Sequence, residues 1–353
     1  MENSSYTTDF PFTHIPRADR QNDAHSDRIY CVRVSANFVI TGSYDRTIRV
    51  WSKPNRALAL PPIEGHQSSV LCIEVREELD LIFSADGNGQ IHMWSLSTGK
   101  LLHAVKAHEE SVRSLSLNAR DLVAACNDKS ATLWQIVDDG LEQMMLRHRH
   151  TLRGHERPVL SARIHERRVI TTSKDSVRIW SLENGSCLEV ISNFASISDF
   201  EIISGSETLQ VASSCTDSHV RIYDLTNKKE TACLTGHMGV VRIVKLIASP
   251  SVPGYRIVSA GYDGTVRIWA LGAGEKEWQA VHVFSFSEAL LTPFGDEAEE
   301  FEVEGGDFIE VKRKASRVFD VQVDGAVAYV VGQGAEIVAF DLGDRGDNHG
   351  RKD

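Results

Sequence analysis

Short apolar runs that alternate with polar residues recur along the chain, and most of them end on an aromatic. TIRVW (47–51) and TVRIW (265–269) are the clearest. Alternation with β-branched residues over four to six positions predicts strands. In both runs the Ile, Val and Trp positions are expected to face one way and the Arg the other. Polar turns such as YDR, YDG and NDK separate the runs, as hairpins require. SLSTGK and SLENGS lead out toward a further, outer strand.

The runs are periodic. Trp51, Trp94, Trp134, Trp180, Tyr223 and Trp269 follow one another at 43, 40, 46, 43 and 46 residues. A Gly-His or similar pair opens most units. A first strand, a turn, a second strand, an Asp-bearing turn and a third strand follow. A period near 40–45 residues predicts four-stranded propeller blades. Six units end at these aromatics. A degenerate seventh, SRVFDVQVDGAVAYVVGQGAEIVAFDL (316–342), carries Phe340 in the tryptophan place and Gly334 in the Asp place. The fold expected is all-β: a seven-bladed β-propeller of four-stranded antiparallel blades. The last blade is closed by an N-terminal strand drawn from about residues 5–15, which removes exposed sheet edges. Residues 1–24 then form an N-terminal segment, 25–342 the ring and 343–353 a disordered tail. Residues 275–315 read as an insertion, and ASPSVPGY (248–255) as a smaller one.

The repeated Gly-His…Asp…Trp pattern resembles the WD-repeat β-propeller family over nearly the whole chain. His25–Asp45, His108–Asp128 and His155–Asp175 are each 20 residues apart, and His237–Asp263 are 26 apart. Thr41, Thr171 or Ser259 lies four residues before the Asp. A Ser-His-Asp hydrolase would carry one such set, not one per unit. The resemblance implies buried structural tetrads: His25, Thr41, Asp45 and Trp51; His66, Ser84 and Trp94; His108, Asp128 and Trp134; His155, Thr171, Asp175 and Trp180; Ser213 and Asp217; and His237, Ser259, Asp263 and Trp269. Asn88 takes the Asp place in the second unit and Ala124 the hydroxyl place in the third. The fourth unit is one residue shorter before its Trp. The fifth lacks the Gly-His and the seventh lacks both His and Asp, and these two are expected to be the softest blades.

Charge adds little. The net charge is −11, but residues 296–310 hold eight acids and no base, so the rest is near −3. A balanced body argues against general nucleic-acid binding, and the acidic run reads as a solvated loop. No apolar stretch approaches a membrane span, and the N-terminus lacks the pattern of a secretory signal. Six cysteines without a C-x-x-C pair read as small core residues in a reducing, intracellular compartment, cytoplasmic or nuclear. The run RHRHTLRGHERP (147–158) reads as a solvated inter-blade loop. The density of cations around His148, His150 and His155 disfavours a metal ion. No P-loop, dinucleotide or zinc-protease motif occurs. No cofactor, metal or catalytic residue is expected.

In the family it resembles, the narrow top face carries recognition. Residues near the start of each first strand and just before each tetrad Asp supply that face. Transferred to this chain, those places give Tyr30, Tyr44, Leu71, Arg113, Lys174, Arg242, Tyr262 and Phe319. Aromatics among arginines suit a protein or a short acidic or phosphorylated peptide. DRIYCVRVSANFVITGSYDRTIRVW and GHQSSVLCIEV also resemble the propeller half of F-box/WD-repeat proteins. That implies an alternative role as a substrate-recognition subunit of a ubiquitin ligase, although the 24 residues before the first blade are too few for an F-box. A propeller enzyme is the third reading.

Overall fold

A computed structural model describes residues 11–138, 144–192, 195–203, 208–248, 254–272, 277–290 and 316–342. They form seven four-stranded antiparallel sheets. In the first blade the strands are Ile29–Val34, Phe38–Ser43, Ile48–Ser52 and Ala57–Leu58. Six sheets are sequential meanders. The seventh combines Val318–Asp324, Val327–Gly332 and Ile337–Asp341 with Phe12–Ile15 from the other end of the chain. The closing pairs run from Phe12 opposite Phe340 to Ile15 opposite Ile337. The strand therefore falls inside the expected stretch, whose residues 5–10 lie outside the described ones.

Each third strand is buried on both faces, which corrects one expectation. Ile48 and Val50 pack toward the second blade, with Val70, Ile73 and Trp94. Trp51 packs the opposite way, on Ile15, Val331 and Ile337 of the closing blade. Side chains alternate with period two, so Trp51 shares its face with Arg49, not with the aliphatic residues. The same division separates Val266 and Ile268 from Trp269. The core is accordingly seven clusters between neighbouring blades. A long chain can thus bury its apolar faces without one large core.

Two segments read as loop or insertion are strands. Trp278–Ser285 is the outer strand of the sixth blade and pairs with Thr265–Leu271. A short helix, Phe286–Ala289, follows and buries Phe286. Of the expected insertion, 275–276 and 291–315, with the acidic run, lie outside the described residues, as do 343–353. The other segment is Met144–Arg153, the outer strand of the third blade, so RHRHTLR is not a loop. Outer strands are half exposed, and their weak alternation hides them. Among the described residues no helix is long and apolar enough to cross a membrane. Four of the six free cysteines are buried; Cys187 and Cys233, on outer strands, are exposed.

Candidate interaction surface and the tetrads beneath it

The Gly-His turn and the Asp-bearing turn lie at the same end of each blade, because the first and second strands are antiparallel. A buried chain of hydrogen bonds joins them. In the first blade the Trp51 indole N–H donates to Thr41 Oγ1 at 2.9 Å, and Thr41 Oγ1 lies 2.9 Å from His25 Nε2. His25 Nδ1 lies 2.8 Å from Asp45 Oδ2. An indole can only donate, so the hydroxyl proton goes to Nε2, and Nδ1–H donates to the carboxylate. The imidazole is thus neutral. Burial lowers the affinity of His25 for a proton, although Asp45 opposes this. Burial would raise Asp45, but hydrogen bonds from His25 and Thr47 outweigh it and hold its carboxyl well below the usual range. The sixth blade repeats the chain, with 2.8 Å at each of Trp269–Ser259, Ser259–His237 and His237–Asp263. The preceding Gly236, at φ +152°, brings its backbone against Arg267 and Trp269. A Cβ there would stand 2.8 Å from Arg267 Nη1.

Three tetrads depart from expectation. In the second blade Asp86, not Asn88, accepts from His66 at 2.9 Å; Asn88 only donates its backbone N–H to Asp86. Ser84 and Trp94 occupy their expected places. In the third blade Thr132 supplies the hydroxyl, 2.9 Å from His108 Nε2 and accepting from Trp134 at 2.8 Å. Thr132 is the direct cross-strand partner of Ala124, so the hydroxyl has moved across the ladder. In the fifth blade Ser213 and Asp217 form no tetrad. Ser213 donates to the Arg221 carbonyl, and Asp217 takes both arms of the Arg221 guanidinium. With no Gly-His pair there (His219 stands instead 3.4 Å from Asp217), Tyr223 accepts from the Ala195 N–H at 3.3 Å. The fourth tetrad is complete but looser, His155 Nδ1 standing 3.5 Å from Asp175 Oδ2 because the turn is short. His108, Cys126 and Asp128 cluster closely enough to suggest a metal. Burial pushes the Cys126 thiol up to about 12, and it already donates to the Glu110 carbonyl. This donor set does not fit a cation.

A second repeated feature opens onto the channel. In every blade the register between the first two strands slips by one residue near the start of the first. Bulges leave one residue unpaired and re-aim its side chain. The bulged residues are Tyr30, Leu71, Arg113, Leu160, Ser198, Arg242 and Phe319, and five of them (Tyr30, Leu71, Arg113, Arg242 and Phe319) are among the face residues expected from the sequence. Four aromatics form an arc across the first, seventh and sixth blades. Tyr44 and Tyr30 are 6.3 Å apart, Tyr30 and Phe319 5.3 Å, and Phe319 and Tyr262 6.1 Å. Arg28 lies 4.6 Å over Tyr44 at one end, and Arg317 5.1 Å over Tyr262 at the other. Both arginines escaped the sequence reading, though each stands two residues before a bulged aromatic. Arg113 is close enough to Arg242, Tyr262 and Tyr30 to feel their charges, and burial together with Arg242 lowers its proton affinity. Leu71 is half-buried and Lys174 exposed on the fourth blade; no ring contact or ion pair joins either to the arc among the described residues.

Below this mouth runs an ion-paired belt that the sequence reading missed. Arg33 bridges Glu74 at 3.1 Å and Asp320 at 2.9 Å; Arg163 bridges Asp199 at 2.8 Å and Glu201 at 3.4 Å. Lys245 completes it on Glu201. Arg33, Glu74, Arg163, Glu201 and Lys245 share one place, three residues beyond the bulge. Their alternating charge at that offset was the available signal.

The repeat profile described as "WD domain, G-beta repeat" matches residues 20–52, 59–95, 99–135 and 228–270, four of the seven blades. The chain belongs to the WD-repeat β-propeller family. This propeller is 29% identical over 209 residues to "Protein tipD" of Dictyostelium discoideum, covering 58% of this chain and 32% of that one. It is 27% identical to "Ribosome biogenesis protein WDR12 homolog" of Nematostella vectensis, covering 69% and 66%. It is 25% identical to "Transcriptional corepressor LEUNIG_HOMOLOG" of Arabidopsis thaliana, covering 70% and 30%. The chain thus spans between about a third and two thirds of these relatives. The solved WD40 propeller domain of Doa1 superposes with a TM-score of 0.69 at 18% identity, covering 91% of this chain and 95% of that one. That likeness shows the shared fold.

Proposed function

We propose that this propeller is a non-catalytic interaction scaffold whose channel mouth binds a protein or a short acidic or phosphorylated peptide. The observation that carries the reading is the ring of bulged side chains, with its arc of Tyr44, Tyr30, Phe319 and Tyr262. Such residues offer large contact area at low entropic cost, and a ring of bulges aims them at one point. The His, Ser/Thr and Asp groups that could resemble catalytic sets are locked in tetrads in five of the seven blades. An intracellular setting, cytoplasmic or nuclear, accords with six free cysteines. The alternative role as a ubiquitin-ligase substrate receptor rests on the resemblance of the opening segment alone.

The test compares partners captured from cell extract by the wild type and by the double variant Arg113→Glu, Arg242→Glu. The reading predicts that the double variant loses specific partners. Identical partner sets would remove the mouth from consideration. Ubiquitin-ligase adaptors among the partners would favour the alternative role.

A further inference from the structure

The basic run RHRHTLR (147–153) lies in Met144–Arg153, the outermost strand of the third blade, whose far edge pairs with no other strand among the described residues. At ten residues it is longer than the other six outer strands, which have two to eight. It carries Arg147, Arg149 and Arg153 and no acid, whereas none of the other six carries more than one Arg or Lys. A bulge at Arg149 turns that side chain onto Asp121 at 2.7 Å and the Glu183 carbonyl at 3.1 Å, and the strand continues on both sides of it. Arg147 and Arg153 are exposed, and among the described residues neither side chain has a carboxylate or hydrogen-bond partner. His103 of the neighbouring blade takes the Leu146 N–H at 3.3 Å and so covers the start of the edge. Among the described residues no hydrogen bond from outside the blade reaches the backbone of 147–153.

Every second residue of an edge strand points its N–H and C=O away from the sheet, where another strand can pair. A second copy of this same strand would set Arg against Arg, and like charges across a ladder repel. An acidic strand meets attraction instead. We propose that this edge receives an extended acidic segment of a partner protein, which adds to the third blade as a fifth strand. Arg147 and Arg153 lie opposite Gln135 and Ser130, on opposite faces of the sheet. Five residues of the facing strand separate them by about 17 Å. The segment therefore needs carboxylates near both of its ends, on either face. RNA would match the charge, but its phosphates leave the row of backbone donors and acceptors unused. A polypeptide satisfies both. This edge lies on the rim of the ring and does not involve the channel mouth.

The test titrates the full chain with a labelled Thr/Val peptide as long as the strand, carrying glutamates at both ends. Its counterparts have Lys for Glu, or N-methyl groups at alternate residues that remove the ladder donors, and oligouridine is the nucleic-acid probe. The Glu peptide should bind, and the Lys and N-methylated versions should bind at least about ten-fold more weakly. Hydrogen exchange across 147–153 should slow on saturation. The double variant Arg147→Glu, Arg153→Glu should weaken binding about ten-fold, whereas Lys229→Glu on the fifth blade should not. Neither arginine has a partner to lose, so the thermal midpoint should not move. Equal binding of the N-methylated peptide, or full binding by the double variant, overturns strand addition. Binding lost in Tyr30→Ala but kept in the double variant assigns the peptide to the mouth and overturns it as well. Oligouridine binding that only the double variant loses, without binding of the Glu peptide, overturns it in favour of nucleic acid. Dimers that the double variant breaks, again without peptide binding, overturn it in favour of a second copy.

Discussion

Single residues decide which polar groups are buried and how they are paired. Asp86 and Asn88 both lie in the turn DGNG, and only the carboxylate two residues nearer the strand reaches His66. Asp86→Asn should therefore cost about 1–3 kcal/mol by weakening a buried charge-assisted bond. Asn88→Ala should stay within about 0.5 kcal/mol, since its hydrogen bonds to Asp86 and Lys106 are made by its backbone. Paired denaturant titrations check the difference. The histidines also give the fold a direction of pH dependence. Burial holds His92 and His155 near 4, against an ordinary value of 6.5, and His92 additionally stacks on His66 at 4.0 Å. Below pH 6.5 the unfolded chain takes up protons that these native imidazoles refuse, so stability falls as acid is added. The tetrad aspartates act lower. Burial alone would raise Asp263, but bonds from His237, Met238 and Thr265 hold it near 2. Its contribution is present above the ordinary value of 3.8 and lost as pH falls toward 2. The thermal midpoint should decline from about pH 6.5 to 4 and collapse below that. A midpoint flat across the upper window would contradict neutral buried histidines.

Blades differ because their elements do. The fifth has neither a Gly-His turn nor a tetrad, and its Asp217 is half exposed on Arg221. The seventh also lacks a tetrad, but the strand Phe12–Ile15 covers it, and His14 meets the buried Glu336 at 3.0 Å. Hydrogen exchange should therefore be fastest in the fifth blade, with Gln210–Cys215 and Val220–Asp224 exchanging before Phe38–Ser43 and Ile48–Ser52 of the first. Uniform protection would contradict a stabilising role for the tetrads. These differences also explain what the sequence could reveal. Inner strands are buried on both faces and end in Trp, so their number and order were legible. Outer strands are half exposed, so Trp278–Ser285 and Met144–Arg153 looked like insertion and loop. Thr132 was invisible as a tetrad member because its hydroxyl reaches His108 from the strand opposite Ala124. The belt of Arg33, Glu74, Arg163, Glu201 and Lys245 was missed because its pairs are distant in sequence.

At the scale of the whole molecule, ring closure makes the seven bulges converge. The Ile29 N–H donates to the Gly334 carbonyl, and Val32 and Arg33 both donate to Asp320, tying the first blade to the last beside the channel. Convergence places Tyr44, Tyr30, Phe319 and Tyr262 in one arc although they are far apart in the chain. The surface on which binding depends is therefore a product of closure and not of any one repeat. The most direct measurement is photo-crosslinking in cell extract, with a reactive residue replacing Tyr44 at the mouth or Leu102 on an exposed outer strand. Discrete, reproducible adducts from position 44 and none shared with position 102 are predicted. Adducts from position 102 alone, or identical patterns from both, would contradict a binding role for the mouth.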